Sequence, residues 1–304
     1  MGCESQTQNI QVGPVDVTWE QQETTCVETV ADSSGSLDGT FFTLNSPDTE
    51  YYVWYDTGSA TDPAPAGKTG IAVSITADDT AAAVATATAT AIDSENDFNA
   101  KVSPTSANDV VIQNVASGDV TDAADDATAS TGFTITVLRQ GADLDLGLLD
   151  GDISISFNVS TLDITAHQFG EQVLERKIIG QNLDAITVTM KETAAAKIKA
   201  LLEATATEFT PGSGTAVTAA GTSQNQRSTA AASRKLVFHP VSNDATNLTE
   251  DYAFWRAWPQ ISSINFSGTS ENTVEVEFQI IRDELLDKSA DIWVKGDHTQ
   301  NFLA

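Results

Sequence analysis

The most regular alternation in the chain lies at 274–280, where Val274, Val276, Phe278 and Ile280 take turns with Glu275, Glu277 and Gln279. A period of two puts these sets on opposite faces of one β-strand, one apolar and one acidic. The same pattern occupies 152–160: Ile153, Ile155, Phe157 and Val159 point one way, and Asp152, Ser154, Ser156, Asn158 and Ser160 the other. Both read as long strands with one wet side. Shorter strands are expected at 15–19, 41–44, 51–55, 71–76, 110–115, 133–138, 185–191 and 235–239.

Helical spacing appears twice. Asp78, Asp79 and Thr80 offer capping oxygens and negative charge at the positive end of a helix dipole. Behind them Ala81, Val84, Ala85, Thr88 and Ile92 fall on one helical face. A second helix is expected over 193–204, with Ile198, Leu201 and Leu202 as the buried stripe and Lys197 and Lys199 outside. Two amphipathic helices among many strands suit a mainly β (α+β) fold in which each helix covers one face of a sheet.

Composition shifts at 31–36 and again at 139–143, both Gly-, Ser- or Asp-bearing stretches that read as flexible junctions. Between them lies a block with its own strands, its own helix and its own aromatic cluster: Phe41, Phe42, Tyr51, Tyr52, Trp54 and Tyr55. The expectation is an inserted α+β domain at 31–141 within a discontinuous domain formed by 1–30 and 142–304. Residues 210–233, rich in Gly, Ser, Thr and Ala without periodicity, read as a mobile loop.

Charge narrows the function classes. The chain of 304 residues holds 15 Lys and Arg against 43 Asp and Glu, a formal net charge of −28. Specific binding of nucleic acid needs clustered cations and is not expected. No run of about 20 apolar residues offers a membrane-spanning helix. The start Met1-Gly2-Cys3-Glu4-Ser5-Gln6 carries Gln6 where a myristoylation pattern requires Ser or Thr, and no secretory signal is read. Two cysteines, Cys3 and Cys26, are expected as unpaired thiols of a reducing cytoplasm. The same acidic, Thr- and Ala-rich composition also suits a halophilic or extracellular protein.

The local motifs that suggest chemistry dissolve on inspection. Ala66-Gly67-Lys68-Thr69-Gly70 resembles the end of a phosphate-binding loop, but Asp62 stands at the first glycine position and a strand pattern follows where a helix is required. His167, His239 and His298 lack the spacing of a helical zinc pair. The carboxylates of 122–126 and of Asp143 and Asp145 match no calcium loop and read as solvated charge. No nucleophile elbow occurs. No catalytic residue, cofactor site or metal site is nominated, and the chain is not expected to be an enzyme. The run Phe254-Trp255-Arg256-Ala257-Trp258-Pro259 reads as core or subunit contact rather than a stacking platform, with Trp255, Arg256 and Trp258 as interface candidates.

Four segments carry a family resemblance: Val12-Gly13-Pro14-Val15-Asp16-Val17-Thr18-Trp19, the stretch from Leu149-Asp150-Gly151 through His167-Gln168-Phe169-Gly170-Glu171, the helix at 193–204, and Leu236-Val237-Phe238-His239-Pro240 on to Trp258-Pro259. In their order and texture these resemble the tail tube (major tail) proteins of long-tailed bacteriophages. The block at 31–141 resembles a module that recurs inside phage structural proteins. The resemblance implies a tail-tube β-sandwich or barrel core with a flanking helix, assembled as a homo-hexameric ring and stacked into a tube. It further implies assembly with a tape measure protein in the host cytoplasm, residence in the virion tail, and DNA passing through the lumen without specific binding. In that setting Asp152, Ser154, Ser156, Asn158, Ser160, Glu275, Glu277 and Gln279 are expected to face the lumen, and the insert to project outward. A virion or cell-surface adhesin, whose aromatic insert binds carbohydrate, is the alternative class.

Overall fold

The computed structural model describes residues 14–155, 157–165, 173–183, 185–191, 194–203, 207–209, 217–219, 228–269 and 271–304. The described chain is mainly β. In order its strands are β1 (Val15–Glu20), β2 (Thr24–Glu28), β3 (Phe41–Asn45), β4 (Glu50–Asp56), β5 (Thr69–Ser74), β6 (Phe98–Val102), β7 (Asp109–Asn114), β8 (Ala124–Asp125) and β9 (Thr134–Arg139). There follow β10 (Leu149–Asp150), β11 (Phe157–Thr165), β12 (Val173–Leu183), β13 (Ile186–Met190), β14 (Thr207–Phe209), β15 (Val217–Ala219), β16 (Arg234–Pro240), β17 (Tyr252–Asn265), β18 (Thr273–Ile281) and β19 (Trp293–Lys295). The helices are α1 (Ala81–Asp93) and α2 (Ala195–Glu203).

The chain divides into two compact units, the first made of residues 1–145, 235–253 and 283–304, the second of 146–234 and 254–282. In the first unit one sheet runs β6-β7-β2-β9 and another β5-β4-β3-β8, with β4 and β5 parallel and the other pairs antiparallel. Helix α1 begins at the N-cap Thr80, whose hydroxyl accepts from the Ala83 amide. It buries Val84, Ala85, Thr88, Ala89 and Ile92, close to the stripe its spacing implies. Inside, the Tyr55 hydroxyl lies 2.8 Å from Thr88 Oγ1, and burial pushes its pKa above the usual phenol range. Of the aromatic cluster, Phe42, Tyr51 and Tyr55 lie in the core of this unit; Phe41 and Tyr52, buried but outside it, pack edge to face with ring centroids 5.8 Å apart, and Trp54 is half-buried.

Two sequence expectations shift here. Strand β2 precedes residue 31 yet sits between β7 and β9, pairing Val27 with Val110 and with Ile135. The sheet of the block thus begins before the composition changes, and removal of 31–141 would strip β2 of both neighbours. Residues 31–36 form a pinned turn: the buried Asp32 carboxylate accepts from the amides of Gly35, Leu37 and Asp78. Burial alone would raise its pKa, but those three amides outweigh it and hold it below the usual carboxylate range. The lysine of the phosphate-loop lookalike, Lys68, pairs with Glu50 at 2.7 Å, and strand β5 follows it. Gly70 is required by proximity, since a Cβ there would lie 2.4 Å from the Tyr52 hydroxyl oxygen.

In the second unit β17, β18, β13 and β10 are neighbours in that order, all antiparallel. Helix α2 buries Leu201, with Ile198 and Leu202 half-buried and Lys199 exposed. The expected strand at 152–160 is displaced: residues 151–155 lie outside any strand, and β11 starts at Phe157. It pairs with β12 as a two-stranded ribbon, where Val159, Leu162, Ile164, Val173, Ile178 and Ile179 are exposed. Among the described residues the ribbon has no second layer, and these apolar side chains stay exposed. The loop expected at 210–233 contains strand β15 and a 3-10 turn at Ala230–Ala232; residues 210–216 and 220–227 lie outside the described residues.

Candidate functional site

Strand β18 has a neighbour on each side, and this fixes its two faces. Val274, Val276 and Phe278 are fully buried opposite Met190, Val188 and Ile186 of β13, themselves fully buried. Each such side chain contributes about 1.5–3 kcal/mol by leaving water. A slip of one residue would drive Glu275 and Glu277 into that core, so the register is strongly specified.

The opposite face is built in rows. Asp150 of β10, Thr189 of β13, Glu275 of β18 and Ser263 of β17 are successive partners across the sheet. Thr187, Glu277 and Gln260 form the next row, and Gln279 and Trp258 the one beyond. A β-bulge between Ile261 and Ser263 frees Ser262, whose hydroxyl donates to Glu275 Oε1 at 2.9 Å. Glu275 and Glu277, two residues apart, stand about 7 Å from each other along the strand. Cations sit at the ends of this face. Lys191, just after β13, lies 3.1 Å from both Asp150 and Glu271, and those carboxylates raise its pKa. Arg256 is committed to the turn at Ala230–Ala232, its Nε donating to Ser233 Oγ at 3.0 Å and its Nη2 to the Ala230 carbonyl.

The expected site residues separate. Glu275, Glu277 and Gln279 share the polar face of β18, with the two glutamates half-buried and Gln279 exposed. Asp152 and Ser154 are exposed but precede the strand. Ser160 is exposed on the ribbon opposite Gly180, and Asn158 is opposite Asn182 in the backbone register. Ser156 and the side chain of Asn158 lie outside the described residues. Among the interface candidates, Trp255 is buried in the core at 5 % exposure, whereas Arg256 and Trp258 are half-buried on the polar side of the sheet, opposite Ile281 and Gln279.

Chemically the face is rich in acceptors and hydroxyls, with carboxylates along its middle. Such a surface offers phosphate no counterion to release. Charge is divided unevenly over the chain as well. The first unit holds 31 Asp and Glu against 6 Lys and Arg, the second 12 against 9, giving formal charges of −25 and −3.

A second constellation, absent from the sequence reading, lies in the first unit. Glu20, Lys235, His298, Asp251 and His239 form a chain of largely buried polar groups with successive separations of 2.7, 3.3, 3.4 and 2.8 Å. Spacing gave no signal of it, because its members come from β1, β16, the turn before β17 and the C-terminal segment. Among the described residues no group of three or more His, Cys, Asp or Glu is arranged to hold a metal, and no helix is long and apolar enough to cross a membrane. No protein-family model matches the chain, and no curated protein matches it.

Proposed function

We propose that this chain is a virion structural protein, the tail tube subunit of a long-tailed bacteriophage, whose copies close into hexameric rings stacked around a channel for genome ejection. The observation that carries the reading is the wet face of the β17-β18-β13-β10 sheet, a continuous acidic, hydroxyl and amide surface backed by fully buried apolar side chains. A conduit for DNA must avoid holding it. Lys or Arg on the wall would bind the duplex by counterion release, and every stacked ring would multiply that friction. Glu275, Glu277, Gln279, Thr187 and Gln260 offer phosphate no cation.

Two features favour assembly of many copies. The unit bearing this sheet is close to neutral, so its copies approach without the repulsion that −25 charges would impose. Its ribbon exposes apolar side chains on a two-stranded element that has no other layer, a surface suited to burial against a neighbouring copy. Joining strands between subunits also removes unpaired edges around a closed ring. The adhesin alternative is less well supported, because Phe42, Tyr51 and Tyr55 of its aromatic set are taken up by the core of the first unit and only Trp54 of the set is half-buried rather than buried.

Negative-stain microscopy of the purified protein tests the proposal. Long hollow cylinders of uniform width are expected. A population of monomers or trimers at high concentration, with glycan affinity, would replace this reading by the adhesin.

A further inference from the structure

The buried polar chain of the first unit is arranged around one histidine. Glu20 Oε1 lies 2.7 Å from Lys235 Nζ, and Ser117 donates to the other Glu20 oxygen at 3.2 Å. Burial pushes the Glu20 carboxyl up, but Lys235 outweighs it and holds it below the usual range. Lys235 Nζ is 3.3 Å from His298 Nδ1, and His298 Nε2 is 3.4 Å from Asp251 Oδ2. Asp251, 1 % exposed, takes His239 Nδ1 on its other oxygen at 2.8 Å.

This geometry fixes the ring's protonation state. A lysine ammonium has donors only, so His298 Nδ1 must accept and the single ring proton sits on Nε2, facing Asp251. Addition of a second proton would turn Nδ1 into a donor aimed at an ammonium 3.3 Å away, losing a hydrogen bond and creating a like-charge contact. The other charged groups facing His298 are Glu20, Asp251 and its chain neighbour Asp297, all acidic. His239 Nε2 is buried without a hydrogen-bond partner, and Asp251 Oδ2 faces His298 Nε2 at 3.4 Å as an electrostatic contact only, so the cluster has polar capacity left unfilled.

His298 belongs to the C-terminal segment, and that segment lies along the outer side of β6, the last strand of its sheet. Asn99 Nδ2 donates to the Thr299 carbonyl at 3.2 Å, Lys101 Nζ to the Leu303 carbonyl at 3.0 Å, and Asn301 Nδ2 to Asp93 Oδ1 at 2.6 Å. Each of these bonds is individually weak; at its end the segment is also held by the Asp287 amide, which donates to the Phe302 carbonyl at 2.8 Å, by its own Ala304 amide, which donates to the Leu285 carbonyl at 2.9 Å, and by Leu303, which is buried. Further back the segment is tied firmly, by Arg139 to both oxygens of Asp283 at 2.6 Å. We propose that His298 is a proton-operated latch: neutral, it bridges Lys235 to Asp251 and holds residues 297–304 against β6; protonated, it repels Lys235 and frees residues 297–304 from β6 and from 285–287, beyond Gly296, whose amide donates to the Asp251 carbonyl at 2.9 Å.

The direction follows from the group's burial, which together with Lys235 lowers the His298 pKa below its ordinary 6.5. A depressed histidine contributes latch stability that is fully present above its unfolded value and is lost as pH falls through the folded value.

Hydrogen exchange on the intact protein, corrected for intrinsic rates, tests this at about pH 7.5 and about pH 5. The amides of 299–304 are expected to lose about ten-fold in protection at the lower pH, while those of β7 hold theirs. His298→Gln, which cannot gain a proton, is expected to show no such pH dependence. As a measurement needing no substitution, imidazole nitrogen shifts of the wild-type protein are expected to show Nδ1 unprotonated at the higher pH, with protonation and loss of protection sharing one midpoint. Unchanged protection of 299–304, the same loss in His298→Gln, or a ring that titrates while the segment stays protected would each overturn the latch.

Discussion

The two units solve opposite problems with the same secondary structure. The first carries a formal charge of −25 and packs Phe42, Tyr51, Tyr55, Phe98 and Phe133 in a core formed by two sheets and α1. The second carries −3, has one sheet with a polar face, and exposes Ile178, Ile179 and other apolar residues on its ribbon. High charge keeps a surface apart from its copies, whereas near-neutrality with exposed apolar side chains brings copies together. On the proposed function, the second unit is the one completed by neighbouring copies and the first the one that stays solvated.

The largest expected effect comes from the ribbon. Ile178→Glu with Ile179→Glu should abolish assembly, read by sedimentation, while circular dichroism of the monomer stays unchanged; Val241→Glu in the first unit should leave assembly intact. If both substitutions behave alike, the contrast between the units fails. In the core beneath the wet face, Phe278→Ala should cost about 3–5 kcal/mol in urea unfolding, as expected for a fully buried aromatic side chain. Tyr55→Phe in the first unit should cost only about 0.5–1.5 kcal/mol, because Thr88 keeps its bond to the Val84 carbonyl.

Smaller effects separate the units by charge. Raising salt from about 0.05 M to about 1 M should increase the melting temperature of the first unit by roughly 5 °C, through screening of its self-repulsion, and shift the second little. Glu23 supplies a pH test within the first unit. Burial, together with Asp122 and Asp119, pushes its pKa up to about 7. The Gln140 side-chain nitrogen sits 3.1 Å from all three carboxylates. A carboxyl with a raised folded pKa contributes stability present at low pH and lost as pH rises from about 4.5 through about 7. The urea midpoint should therefore fall between about pH 6 and about pH 8, and Glu23→Gln should remove that fall.

What was legible in the sequence was what local periodicity encodes. The alternation at 274–280 became β18 with its faces as read, and the stripe behind Thr80 became α1. Strand β2 escaped notice because its central position in the sheet buries Thr24 and Thr25 as well as Val27, and threonines do not register in a hydrophobic pattern. The alternation at 152–160 was real but did not set the strand's start. Residues 151–155 carry it outside any strand, and the ribbon carries it on with no core to define an inside. Trp255 and Trp258 looked equivalent as a pair, yet the odd spacing of three puts them on opposite faces of β17, one in the core and one on the polar side. The polar chain through His298 was invisible, since it is made by long-range contacts between residues that have no pattern in common.

The central claim of the proposed function is that the wet face of β18 lines a closed hollow. In a Cys3→Ser, Cys26→Ser background, Glu277→Cys and Asp62→Cys proteins assembled into particles would be treated with a small maleimide and with one coupled to a folded protein. Residue 277 is expected to react with the small reagent and resist the bulky one, and residue 62 to react with both. Equal reaction of residue 277 with the bulky reagent would contradict the account.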